Sequence, residues 1–288
     1  MTKHISVFLD EVLSVFASLK GSKRVLDATF GGGGHSVALL EAYPDIKIVG
    51  CDQDERSLHR AKEKYADFLI QNRLQLVHSN FADLKQRNFE PFDGVILDLG
   101  YSSIQLEDPS YGITFQKEGP LDMRLSQSTK QTAWDLLTKC TKQQIADILY
   151  NYGELKNSRK LARKIKESLK DGSLTNSTSS LSNLLRKNMP PSKTIHPATL
   201  GFQALRIAVN DELRVLDRFL HDAMLLLNKG GILAIITFHS LEDRIVKQWG
   251  KKTDHFKEWS ESPMQPSEKE VKDNPRSRSA KLRIYWRI

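Results

Sequence analysis

The chain has 288 residues, 39% of them hydrophobic and 27% charged, which excludes the disordered and membrane classes and is enough for one large domain, or a domain carrying a smaller one, with a real core. Its 43 Lys and Arg against 35 Asp and Glu leave a formal net charge of +8, which suits a polyanionic partner but equally a basic surface kept for solubility. Cys51 and Cys140 stand in no CxxC pair or Cys/His cluster, so a disulfide framework and a zinc site are excluded and a reducing compartment is expected.

The N-terminal VFLDEVLSVFASL is interrupted by Asp10 and Glu11, and no run approaches the ~18 apolar residues of a membrane span. The protein is therefore expected in the cytoplasm, without a membrane partner. From residue 23 to 100, short apolar runs (KRVLDATF, KIVGCD, LQLVHSNF, DGVILDLG) alternate with segments of helical spacing such as DERSLHRAKEKYADFLI. Repeated strand–helix units predict an α/β fold, a parallel sheet with helices on both faces. Residues from about 105 to 198 carry helical pieces (TAWDLLTKCTKQQIADILYNYGE, SRKLARKIKESLKDG, LSNLLRKNMPP) joined by polar linkers. Because this block falls between the fourth and fifth strands, it reads as a helical domain, residues 107–196, inserted into a discontinuous sheet domain of residues 1–106 and 197–288. After it, FQALRIAVNDELRVLDRFLHDAMLLL reads as one long amphipathic helix, ILAIITF as the fifth strand, and the terminal KLRIYWRI as a last strand at the edge of the sheet.

The first strand runs into Gly31, Gly32, Gly33 and Gly34, and His35 opens a helix. Glycines at the carboxyl end of a first parallel strand let the backbone approach a cofactor closely. A dinucleotide fingerprint needs a third glycine where this chain has Ser36 or Val37, so the pattern favours a nucleoside cofactor without a pyrophosphate, S-adenosylmethionine. Asp52, ending the second strand, would accept the ribose hydroxyls or cap the next helix; Gly33, Gly34 and His35 would line the methionine part; Phe81 would flank the adenine or serve as core.

The fourth strand delivers Asp98 to the same sheet edge, followed by Leu99, Gly100, Tyr101, Ser102 and Ser103. An aromatic amine is a poor nucleophile because its lone pair is delocalised, and an acceptor for its N–H, supplied by Asp98 or a nearby carbonyl, would help it attack an in-line methyl group. Asp98 as a turn cap or a cofactor contact is the plainer alternative. DLGY is loosely similar to the Asp-Pro-Pro-Tyr motif of amino-methylating DNA enzymes, so Tyr101 is either a base-stacking group or packing.

Eight blocks in order, LDATFGGGGHS (26–36), CDQD (51–54), LDLGYSS (97–103), GPLDMR (119–124), HPAT (196–199), FQALRIAVNDEL (202–213), TFHSLEDRIVK (237–247) and NPRSRSAKLR (274–283), resemble the bacterial 16S ribosomal RNA N4-cytosine methyltransferase family, formerly called MraW. The resemblance implies a Rossmann-like S-adenosylmethionine-dependent methyltransferase, a methyl-donor site at Gly33, Gly34, His35, Asp52, Phe81, Asp98 and Gln105, an inserted domain that helps hold RNA, and a cytidine of the decoding region as target. Tyr101 stands where that family usually has Val, Ser6 where it has Pro, and Leu200 where it has Arg, which removes one expected basic contact.

Further along, Arg159, Arg163, Lys166 and Lys170 share one helical face, either a phosphate-tracking surface or a solvated one. Arg276, Arg278, Lys281 and Arg283 lie among aromatics and suit contacts to a nucleic-acid backbone. His239, Ser240 and Arg244, just after the fifth strand, are candidates to close the site over the nucleotide. The expected activity is methylation of a cytidine N4 amine in 16S ribosomal RNA, with a small-subunit particle as partner and no metal; a homodimer is left open. The rival readings are a ribosome-assembly module with a vestigial cofactor fold and a DNA amino-methyltransferase.

Overall fold

The computed structural model describes residues 6–19, 23–189 and 196–288. In chain order it runs α1 (Leu9–Phe16), β1 (Lys23–Asp27), α2 (Gly34–Ala42), β2 (Ile46–Asp52), α3 (Glu55–Lys64), α4 (Ala66–Ile70), β3 (Leu74–His78), β4 (Phe92–Asp98) and α5 (Ser103–Glu107). There follow α6 (Ala133–Lys139), α7 (Lys142–Gly153), α8 (Ser158–Lys170), α9 (Thr178–Asn188), α10 (Ala198–Asn210) and α11 (Glu212–Leu226), then β5 (Leu227–Thr237), α12 (Ser240–Lys252), β6 (Phe256–Glu258), α13 (Glu268–Asp273) and β7 (Lys281–Arg287). The chain divides into two compact units, Met1–Ser103 with Leu213–Ile288, and Ile104–Glu212.

The first unit is built on a sheet of order β3-β2-β1-β4-β5-β7-β6 among the described residues. Strands β1 to β5 are parallel, and β7 runs antiparallel to β5 and β6. The period-2 alternation of a strand sends neighbouring residues to opposite faces. Val25, Ile96, Ile232 and Ala234 accordingly join one buried cluster with Val12 and Phe16 of α1 and Leu39 and Leu40 of α2. Leu26, Val95, Leu97, Leu233 and Ile235 join the other with Leu216, Phe219 and Leu220 of α11 and Val246 of α12. Burial on both faces is why these strands read as continuous apolar runs.

The terminal strand is not at the edge as expected: β7 lies between β5 and the three-residue β6. Only Phe256 of β6 is buried, so the sequence carries no alternation to mark it. Arg283 of β7 joins the pieces, with Nε 2.8 Å from Asp243 Oδ1 in α12 and Nη1 2.6 Å from Glu258 Oε1 in β6.

In the second unit, α6 to α10 enclose a core that includes Leu137, Ile145, Leu149, Leu161, Ile165, Leu181 and Leu205. The long helix expected from residue 202 is two helices. Asp211, in the left-handed region at φ 54, ends α10, and Arg206 grips Glu212 across the corner at 2.8 and 2.9 Å. Apolar spacing continues through Asp211, which hides the break. Because α10 packs into this core, the unit extends past the expected limit at residue 196. Pro190 and Pro191, the last residues of the expected helical piece LSNLLRKNMPP, lie outside the described residues. No helix among the described residues is long and apolar enough to cross a membrane.

Candidate active site

Strands β1, β2 and β4 stop side by side, with Asp27 in register with Gly50 and Ile96. Each ends in a carboxylate: Asp27, Asp52 and Asp98. The carboxyl ends of parallel strands are where open α/β sheets bind ligands, and here that edge gathers three acids.

Asp27 is 2% exposed. It accepts hydrogen bonds from the Ser36 hydroxyl at 2.6 Å and the Thr29 N–H at 3.2 Å. Burial outweighs both and pushes its carboxyl up to about 6. Asp52 is pushed up to about 6 by burial as well, against hydrogen bonds from the N–H groups of Asp54 and Gly31 at 2.8 and 2.6 Å. The helix cap is Asp54, which accepts from the Arg56 N–H. Asp52 is thus free of the capping role and keeps lone pairs for further donors.

The glycine loop is filled by protein. A Cβ on Gly33 (φ 78) would come within 2.6 Å of Phe30 and 2.9 Å of Tyr65, and one on Gly34 would run into the Ser6 hydroxyl. A Cβ on Gly50 of β2 would run into the same Phe30 ring, which is 3% exposed and lies edge-on to Tyr65 at 6.2 Å. These glycines make room for Phe30, Tyr65 and Ser6, and what they offer a ligand is backbone.

His35, buried in the first turn of α2, places Nε2 2.9 Å from the Val7 carbonyl and Nδ1 3.7 Å from Asp98 Oδ2. The Asp98 N–H donates to Thr29 Oγ1 at 2.7 Å, which ties β4 to the turn after β1. About a quarter of the Asp98 side chain reaches solvent (27%), yet Oδ1 is sealed and has no hydrogen-bond partner among the described residues. Such an orphaned acceptor costs about 1–3 kcal/mol. Burial, then the charges of Asp27 and Glu242, hold the Asp98 carboxyl well above the usual carboxylate range.

Around this centre, Phe81 is half-buried and edge-on to Phe219 at 5.6 Å. Tyr101 follows Gly100 (φ 107) and is 39% exposed, so it is not the core residue that packing alone would make it. His239 caps α12: Nδ1 accepts from the Glu242 N–H at 3.4 Å and Nε2 lies 3.1 Å from Glu242 Oε1. The ring serves as the N-cap of α12, and its Nε2 is buried without a hydrogen-bond partner among the described residues; Ser240 and Arg244 on the same helix are exposed. Gln105 belongs to the second unit, where it is buried and donates to the Leu125 carbonyl at 3.4 Å.

Among the basic residues, Arg276 and Arg278 are exposed, whereas Lys281 and Arg283 both bind Asp243 and are committed to the fold. In the second unit Lys166 donates to the Leu137 and Thr138 carbonyls at the end of α6. It caps that helix and leaves Arg159 and Lys170 exposed. Asp27, Thr29 and Glu242 were not singled out from the sequence; an acid ending the strand ahead of the glycines was the available signal for Asp27.

A profile of the MraW methylase family matches residues 1–288. The chain belongs to the MraW methylase family. Its relatives within reach include the ribosomal RNA small subunit methyltransferase H of Prochlorococcus marinus subsp. pastoris, 43% identical over 98% of this chain and 95% of the relative. The protein of the same name from Synechococcus sp. strain CC9605 is 42% identical over 99% and 97%. A solved rRNA methylase from Streptococcus thermophilus covers 99% of this chain and 99% of its own at 14% identity, with a TM-score of 0.44. For this MraW methylase the α/β class expected from the strand runs, and the Rossmann-like form that the family resemblance implies, agree with the sheet described above.

Proposed function

We propose that the protein is an S-adenosylmethionine-dependent methyltransferase that methylates the N4 amine of a cytidine in 16S ribosomal RNA, in the cytoplasm and on a small-subunit particle. The observation that carries this reading is the sealed, unpartnered Oδ1 of Asp98 at an edge where three carboxylates crowd together. The cofactor fits that edge electrostatically, because its sulfonium and ammonium charges offset the burial that opposes ionisation of Asp27, Asp52 and Asp98. Asp52 has lone pairs for ribose hydroxyls, Phe81 an aromatic edge for the adenine, and Gly33, Gly34 and His35 backbone and imidazole for the methionine part. When bound, S-adenosylmethionine supplies a methyl group on a cationic sulfur.

The chain's own residues do the rest. The solvent-reaching part of the Asp98 carboxylate, on a backbone tied to Thr29, accepts the amine N–H and raises the electron density on the nitrogen. Burial raises the proton affinity of the ionised carboxylate, which suits it to take the proton that the amine gives up once methylated. His35 beside it limits the orientations of the carboxylate. Tyr101, exposed next to Asp98, is placed to stack on the target base, and Arg276 and Arg278 supply charge for the RNA backbone. In the second unit the exposed Arg159 and Lys170 offer further charge to the RNA backbone.

The test is transfer of a labelled methyl group from S-adenosylmethionine to small-subunit particles, followed by nucleoside analysis of the RNA. N4-methylcytidine is the expected product. Absence of label from the RNA, or label at another atom, rejects the assignment.

A further inference from the structure

Phe8 precedes α1 with φ 57 and ψ 33, a left-handed conformation that a large aromatic residue adopts only where its surroundings impose it. The residue is fully buried. Two hydrogen bonds hold its backbone: its N–H donates to Glu270 Oε1 at 2.8 Å, and its carbonyl accepts from the Val12 N–H at 2.9 Å. One residue earlier, the Val7 carbonyl faces His35 Nε2 at 2.9 Å. A carbonyl has no proton to give, so this bond requires the proton on Nε2. Nδ1 then faces Asp98 either as an acceptor or, in the imidazolium, as a cation.

Glu270, on α13, is half-buried near Asp10 and Glu11. Burial and these two acids oppose its charge, and its backbone N–H is already satisfied by Ser267 of its own helix at 3.1 Å. A carboxylate kept at an unfavourable place to receive one N–H is more than surface decoration. We propose, on the methyltransferase reading above, that Glu270 is a positioning residue for the cofactor edge: it fixes the left-handed turn at Phe8, which aims the Val7 carbonyl at His35 and so sets the tautomer and the orientation of the imidazole that faces Asp98. The acting group is the oxygen of Glu270 as an acceptor.

Glu270→Ala and Glu270→Gln in the full-length protein separate this role from packing. Calorimetric titration with S-adenosylmethionine should show about tenfold weaker binding for Glu270→Ala, the loss expected for a hydrogen bond to a charged acceptor. Steady-state kinetics on small-subunit particles should show KM for the cofactor rising more than kcat falls. Glu270→Gln, whose amide oxygen accepts the same N–H, should restore affinity to within about twofold. Wild-type affinity in a folded Glu270→Ala, or equal impairment in Glu270→Gln, overturns the proposal. Where Glu270→Ala does not fold, nitrogen-15 NMR of the wild-type His35 ring, assigned with His35→Gln, decides: a protonated Nε2 is expected, and a bare Nε2 overturns it. A wild-type protein that binds no S-adenosylmethionine refutes the methyltransferase reading instead, and leaves the ring tautomer still measurable.

Discussion

Nδ1 of His35 lies 3.7 Å from Oδ2 of Asp98, while the second oxygen of the same carboxylate has no hydrogen-bond partner among the described residues. The pair divides Asp98 into a side that faces His35 and a sealed, unpartnered side. Asp98→Asn should lower kcat for methyl transfer about a hundredfold or more, because a carboxamide cannot take up the amine proton. The same substitution removes a charge that burial disfavours, so at pH 7.5 the variant should melt about 2 °C or more above wild type. Calorimetric melting and single-turnover methylation check the two halves. Loss of stability together with activity would make Asp98 a structural acid.

Asp27 gives a pH signature. Its folded carboxyl titrates near 6 rather than 3.8, so the folded protein holds that proton more tightly than the unfolded chain. The associated stability is fully present below about pH 4 and is lost as pH rises through about 6. The stability of wild type minus that of Asp27→Asn, read from urea unfolding at each pH, should therefore fall across the window from 4 to 7. A shift of about two units bounds the fall at roughly 3 kcal/mol. A flat difference would mean that Ser36 and Thr29 offset the burial completely.

Gly50→Ala tests the aromatic plug. The added methyl runs into the Phe30 ring, inside a strand paired on both sides and against a ring that is itself buried. Destabilisation of about 1–3 kcal/mol is expected from overpacking. Combining it with Phe30→Leu should cost less than the sum of the two single changes, since the residues share one space. Additive losses in a double-mutant cycle would show that the ring is not what Gly50 accommodates.

Covalent methylation at a cytosine carbon needs an activated thiolate. Burial pushes the Cys51 thiol upward, and its Sγ donates to the Ser79 carbonyl at 3.2 Å. Cys140 lies between α6 and α7 in the second unit. A Cys51→Ala, Cys140→Ala double variant should keep most of its activity, with a loss of about 1 kcal/mol in stability from packing at Cys51. A folded, cofactor-binding but inactive double variant would point to a thiol in the chemistry.

Much of this architecture could be read from residues that repeat a simple period. Val25 and Leu26, or Ile235 and Ile236, announce strands buried on both faces, and their ends locate Asp52 and Asp98. What stayed hidden depends mostly on partners distant in sequence. Lys166 is spent because α6 ends beside it, and Gly33 makes room for Tyr65. His239 is the local exception, a cap whose partner Glu242 stands three residues on. Glu270 sits 262 residues from the N–H it receives. The break at Asp211 was invisible for the opposite reason: the local apolar rhythm continues through a point where only backbone conformation changes.

The register between β4 and β5, with Asp98 opposite Ile236, has a kinetic consequence. Residues 99–226 separate the two strands, so their pairing closes a long loop, and the entropy of that closure must be met before the contacts form. Prior folding of the second unit, whose core is its own, shortens the flexible part of the loop. Strands β1, β2 and β3 need no such wait. In refolding followed by pulsed hydrogen exchange, their amides should gain protection first and those of β5 and β7 last. The side of β4 that receives β5 is then completed late, and a chain arrested halfway has its first three strands but lacks the neighbour that completes β4.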